Sequence, residues 1–241
     1  MKITLQSISL RSLVLGAVVA GGLFTAAAGA QVAGGSAELE RVLAQMDATA
    51  RKFGSAEASV VWDQYDKVIN ETDTEKGKIY FRREGGEIQM AADFTDPNIK
   101  YVIYSGGKVQ VYLPKANEVD EYDATKHRSD VESFLVLGFG GSGKDLFQSY
   151  DVKFLGTETV NGVAAQKLEL IPKSVRLRNN IGRILLWIDP KMGISVQQQF
   201  FESSGNYRLA KYSDIHINQK IPENAFKLKT NGKTKFVSPQ G

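Results

Sequence analysis

Between residues 78 and 122 apolar and polar positions alternate in short runs separated by pairs of glycines. Ile79 and Phe81 alternate with Tyr80 and Arg82 before Gly85-Gly86, and then Ile88, Met90, Ala92 and Phe94 recur at a spacing of two. After Asp96-Pro97 a run over residues 101–104 leads into Gly106-Gly107. Val109, Val111 and Leu113 follow, opposite Lys108, Gln110 and Tyr112. A period of two places each apolar set on one face of a strand, and glycine supplies the positive φ that tight turns need. The stretch therefore predicts antiparallel hairpins that share an apolar face.

Upstream the period changes. Leu39, Val42, Leu43, Met46, Ala50 and Phe53 recur every three or four residues, which predicts an amphipathic helix over 37–53 with Ser36 as N-cap and Gly54 as stop. A strand is expected over 57–69 and a polar turn over 70–76. Two short helices are expected after the meander, one opened by Ser129 with Glu132 and one by Ser142. Strand signals return over 152–155, 165–171, 184–188, 194–201 and 207–217, joined by turn chemistry at Asn161-Gly162, 189–193 and 203–206. Ten to eleven strands with short connections and a few helices make a mainly β fold with some α. Such a meander curls into a barrel or a half-barrel.

The first thirty residues read as a secretory leader. Lys2 and Arg11 precede an uncharged apolar stretch over 12–24, and Ala28, Gly29 and Ala30 end in a small-residue cleavage pattern. The stretch is shorter than the ~20 residues that span a bilayer. Cleavage after Ala30 removes two of the positive charges and lowers the net charge from +3 to +1 (3 − 2). That balance gives no support to a nucleic-acid partner. The chain contains 0 Cys, which excludes a disulfide framework, a thiolate metal site and a lipidated cysteine at the cut. These features point to an exported, soluble protein of the bacterial periplasm, with residues 31–241 as a single domain.

The chemical motifs are few. Gly138 to Lys144 falls one residue short of a phosphate-binding loop, because Asp145 stands where a Mg²⁺-ligating hydroxyl belongs, and a carboxylate there repels phosphates. The plain reading is a glycine loop between two helices. His127 and His216 have no second ligand at a useful spacing, so no metal or cofactor is expected. Ser142 lacks the flanking pattern of a serine nucleophile. The carboxylates Asp63, Asp66, Asp120, Glu121 and Asp123 lie in polar runs and read as solvated charge. Arg83 is different. It falls on the face of Ile79 and Phe81, where a guanidinium needs either partners or a route to solvent at the strand end.

A large apolar face covered by only three modest helices leaves two readings open. Either the interior is fully packed, or it holds an apolar ligand such as an acyl chain. The order of parts then carries a resemblance. A helix and a long strand precede Gly77, Lys78, Ile79, Tyr80, Phe81, Arg82 and Arg83. A glycine-marked hairpin over 104–112, a helical interruption, later hairpins and a closing Ile221-Pro222-Glu223-Asn224-Ala225-Phe226 follow. This order resembles the LolA-type outer-membrane lipoprotein carriers. The resemblance implies an incomplete antiparallel β-barrel covered by a helical lid, with an interior that receives lipoprotein acyl chains. It implies a non-enzymatic periplasmic carrier, acting as a monomer between an inner-membrane release complex and an outer-membrane acceptor. The alternative is a related domain that carries or senses another lipid. Lining candidates are Ile79, Phe81, Ile88, Met90, Phe94, Val109, Val111 and Leu113, with Leu135, Leu137, Phe139 and Phe147 on the covering segments. Arg83 matches the arginine that holds the lid in the family. The family's proline is replaced by Glu84, and the run over 175–182 is longer than in compact carriers.

Overall fold

The computed structural model describes residues 27–135 and 137–238. Residues 1–26 of the expected leader lie outside it, and the side chain of Ser129, an expected cap, is likewise outside the described set. Among the described residues twelve strands form one sheet: β1 Ser55–Asp66, β2 Glu71–Glu84, β3 Glu87–Asp96, β4 Lys100–Ser105, β5 Lys108–Leu113, β6 Glu118–Asp123, β7 Tyr150–Val160, β8 Val163–Pro172, β9 Ile181–Asp189, β10 Ile194–Glu202, β11 Tyr207–Ile217 and β12 Lys235–Val237. Their order in the sheet is β12-β6-β5-β4-β3-β2-β1-β11-β10-β9-β8-β7. Two meanders are thus joined where β1 pairs with β11, and the sheet remains unclosed, with β12 and β7 as its edges. Every pairing is antiparallel except that of β12 with β6. This is the mainly β, open-barrel architecture that the sequence predicts, with one strand more than the upper expectation.

The hairpins follow from local chemistry. Asn161 and Gly162 both adopt positive φ (48° and 81°), as a type I′ turn requires, and Gly106 and Gly107 do the same at 58° and 78°. The β1–β2 hairpin departs from expectation. Its turn is 67–70, closed by Asp66 Oδ1 accepting from the amides of Val68 and Ile69 and by Asn70 at φ 54°. The polar stretch expected as a turn is instead the first half of β2. It pairs residue by residue with β1, and Thr74 donates to Asp63 at 2.7 Å. Polar side chains suit a strand whose faces meet water at the end of a hairpin.

Helix α1 spans Ala27–Ala50, beginning earlier and ending sooner than predicted. Val42, Leu43, Met46 and Ala50 are buried at three- and four-residue intervals. Val42, Leu43 and Met46 join Leu168, Leu170, Ile184, Leu186 and Phe200 on the inner face of β8–β10. Its flank is pinned to the β9–β10 turn, where Thr49 Oγ1 donates to Met192 O at 2.7 Å and Gln45 donates to Lys191 O. Helices α2, Arg128–Leu135, and α3, Gly143–Ser149, interrupt the chain between the two meanders, and α4, Val175–Asn180, fills the run after β8. The tail covers the opposite face: Ile221, Ala225, Phe226 and Leu228 pack on Tyr80, Ala91 and Ile103. No helix among the described residues is long and apolar enough to cross a membrane.

Candidate functional site: a self-plugged apolar face

The registers of β2 to β5 line the predicted residues up in ranks across the inner face. Phe81 pairs with Met90, Met90 with Tyr104 and Tyr104 with Val109; Ile79 pairs with Ala92, Ala92 with Val102 and Val102 with Val111. Phe81, Ile88 and Phe94 are buried, whereas Ile79, Met90, Val109, Val111 and Leu113 are half-buried. The apolar face is therefore well covered near β2 and progressively less so toward β6.

What covers it is the loop between α2 and α3. Phe139 is fully buried, stacked on Phe81 with centroids 4.7 Å apart and edge-on to Tyr212 at 4.9 Å. Leu137 is buried beside the α1 cluster. The loop approaches so closely that side chains are excluded at two positions. A Cβ on Gly138 would lie 2.2 Å from Ser195 Cβ, and one on Gly140 would lie 2.5 Å from the Phe53 ring. Both residues also adopt positive φ.

Main-chain carbonyls of the loop are held from three directions. Gln198 Nε2 donates to Leu137 O, the Ser195 amide donates to Gly138 O at 2.8 Å, and Arg83 Nη2 donates to Gly140 O at 3.1 Å. Arg83 Nη1 also reaches Ala50 O at 3.3 Å, which ties the end of α1 to the same point. Gln198 is itself oriented by Tyr212, whose hydroxyl donates to Gln198 Oε1 at 3.2 Å. Burial pushes the Tyr212 phenol well above its ordinary value, so it remains a donor at any physiological pH. Arg83 sits at the rim, exposed at the end of β2 and opposite Ile88, with its donors turned back onto the covering segments.

The near-phosphate-loop motif has its explanation here. Ser142 caps α3 by accepting from the Asp145 amide at 3.0 Å, and the Asp145 carboxylate accepts from the Ser142 amide and hydroxyl. This is a capping box, with the glycines serving the close approach of the loop.

Other candidates are placed differently. Phe147 is 46% exposed: α3 turns Leu146 into the core and leaves Phe147 outside, so it does not line the interior. Leu135 is half-buried at the end of α2. That helix is fixed to the rim by Arg128, which bridges Glu132 at 2.7 Å and Glu87 at 2.9 Å, and by Tyr104, whose hydroxyl donates to Glu132 at 3.2 Å. Burial, reinforced by the Glu132 carboxylate, pushes the Tyr104 phenol up to about 12. Among the described residues no group of three or more His, Asp or Glu is placed to hold a metal ion. Gln198, Ser195, Tyr212 and Phe53 were absent from the predicted site. Gln198 stands in a run of three glutamines, which hides the alternation that would have turned it inward.

The family described as outer membrane lipoprotein carrier protein LolA matches residues 54–229, which include every strand except β12. The chain belongs to the LolA family. No curated protein matches it. Among solved structures, MucB superposes with a TM-score of 0.51 at 16% identity, covering 85% of this chain and 66% of MucB. The MucA/MucB complex of Pseudomonas aeruginosa gives 0.48 at 15% identity, over 79% of this chain and 61% of that one. A putative outer membrane lipoprotein-sorting protein domain from Vibrio parahaemolyticus gives 0.43 at 16% identity, over 78% and 95%. The LolA-family chain thus spans about two thirds of MucB, and the likeness to MucB is one of fold.

Proposed function

We propose that this LolA-family protein is an exported, periplasmic carrier that accepts lipoprotein acyl chains on the inner face of its sheet and releases them to an outer-membrane acceptor. One observation carries the reading: the apolar face is occupied by the chain's own Phe139, on a loop held largely through main-chain carbonyls. An acyl chain replaces that aromatic contact. Each methylene it buries contributes roughly 0.8 kcal/mol, and the contacts given up by the loop offset part of that gain. Net affinity stays moderate, as a carrier that must hand over its cargo requires.

In this role Arg83 governs the exchange, since one side chain holds both Gly140 and the end of α1. Photo-crosslinking phenylalanine analogues placed at Phe81 and Met90 in the native periplasm should capture acylated lipoproteins. Analogues on the outer face at Tyr101 should not. The Arg83→Leu protein should retain its cargo or fail to transfer it to acceptor membranes. Absence of lipoprotein from the inner-face crosslinks, or unimpaired transfer by Arg83→Leu, would sink the respective claim.

A further inference from the structure

Residues 51–54 join the end of α1 to the start of β1, and Phe53 in this joint is buried against the covering loop. The contact is between a ring and a backbone. A Cβ on Gly140 would lie 2.5, 2.8 and 2.9 Å from Cδ1, Cγ and Cε1 of Phe53, distances that place the Gly140 Hα in that direction over the face of the ring. Whatever fixes the Phe53 backbone therefore fixes a support of the loop.

A helix leaves its last carbonyls without intrahelical donors, and here the final turn tightens, with Lys52 N donating to Thr49 O at 3.0 Å and Phe53 N to Ala50 O at 3.4 Å. The outer grip on this turn comes from Asn218, at the end of β11. Its Nδ2 donates to Lys52 O at 2.9 Å, and its Oδ1 accepts from the Gly54 amide at 2.7 Å and the Ser55 amide at 3.2 Å. A peptide is planar, so holding one of its polar groups orients the other. Lys52 O belongs to the peptide before Phe53 and the Gly54 amide to the peptide after it. One side chain thus holds both peptides that flank Phe53. The Ser55 amide in turn shares a peptide with Gly54 O, which accepts from the Arg83 amide at 2.8 Å. Asn218 and Arg83 grip that peptide from opposite ends.

Ending β11 needs only the Asn218 main chain, which turns at φ 56° while its amide donates to Ser55 O at 2.8 Å. The side chain is exposed, yet both of its polar atoms are turned onto the joint. We infer that Asn218 is a positioning residue for the covering loop: from the outer rim, through Phe53, it sets how readily the loop leaves the inner face. The inference rests on the carrier reading and adds to it a control point outside the interior.

The test is nuclear magnetic resonance of the whole, cargo-free protein and its Asn218→Gly variant. Glycine keeps the positive φ and the amide bond to Ser55 O while removing the three side-chain bonds. In the native protein the ring of Phe53 shields one Gly140 Hα and displaces its resonance upfield. In the variant that resonance should return toward its ordinary position. The Ser195 amide, which donates to Gly138 O, should exchange about tenfold faster, the scale of one net hydrogen bond, while amides of β8 and β9 keep their protection. A ligand that needs the loop displaced binds in proportion to the open population, so monopalmitin should bind about tenfold tighter to the variant. An unmoved Gly140 resonance, with protection lost only at the Gly54 and Ser55 amides, overturns the inference, since Asn218 then caps nothing but its own turn. Loss of protection throughout β8 and β9 overturns it as well, because the role is then one of general stability. Faster exchange at Ser195 with no gain in affinity upholds the positioning role and overturns the carrier reading instead.

Discussion

Two segments cover the inner face of this sheet, and they are attached in opposite ways. Helix α1 is held by side chains: Val42, Leu43 and Met46 are buried among residues of β8–β10, so its removal exposes a continuous apolar stripe. The 137–140 loop is held through its backbone, with carbonyls bonded to Gln198, Ser195 and Arg83, and by two inserted side chains, Leu137 beside the α1 cluster and Phe139 against Phe81. Burial of a helix face is lost only by unfolding. A few hydrogen bonds, each worth roughly 1 kcal/mol net, can be exchanged for others or for water. The difference separates a permanent wall from a removable plug within one interior.

The largest effect should come from the wall. Met46→Ala should lower global stability by about 2–5 kcal/mol in urea denaturation, because a fully buried side chain is deleted where neighbours cannot collapse. A cost below ~1 kcal/mol would show that α1 is no more firmly seated than the loop. Next comes the plug. Gln198→Leu leaves the Leu137 carbonyl and the Tyr212 hydroxyl without their partner, at a cost of about 1–3 kcal/mol. Its signature is local: the Ser195 amide, which donates to Gly138 O, should lose hydrogen-exchange protection while amides of β8 and β9 retain theirs. Equal loss across the sheet would erase the distinction.

The smallest effect concerns the rim. The Tyr104 phenol is raised to about 12 in the folded protein, against ~10 when unfolded. The folded state therefore holds its proton more tightly. The stability this contributes is intact below pH ~10 and lost as pH rises through about 12. Alkaline unfolding should be less steep over that window in Tyr104→Phe, and an unchanged slope would place the linkage elsewhere.

How much of this was legible in the sequence depends on the distance over which each feature is determined. The β2–β5 hairpins were readable because alternation and glycine pairs are local signals, and the same alternation put Phe81, Met90 and Val111 on one face. The true β1–β2 turn was missed because a polar run signals turn and wet strand alike. Strand β12 is three residues long, and its pairing with β6 is set by contacts more than a hundred residues away, such as Thr234 Oγ1 donating to Asn117. For the site, Arg83 stood out as a charge on an apolar face, and Phe139 was among four candidates on the covering segments. Gln198 and Tyr212 did not, since a buried polar partner becomes visible only once the strands are in register. Phe147 was misplaced because adjacent Leu146 and Phe147 are equally apolar, and a two-turn helix has too few residues to show which one faces in.

The backbone attachment of the plug also bears on how the family can vary. Every peptide has a carbonyl, so Gln198, the Ser195 amide and Arg83 recognise a path of the chain rather than particular side chains. Substitution within the loop is restrained by space at positions 138 and 140, where a methyl group has no room, and by the fit of Leu137 in the core and of one ring at 139. A latch of that kind tolerates drift in what it holds. Changes in the strands that carry the donors are felt at once.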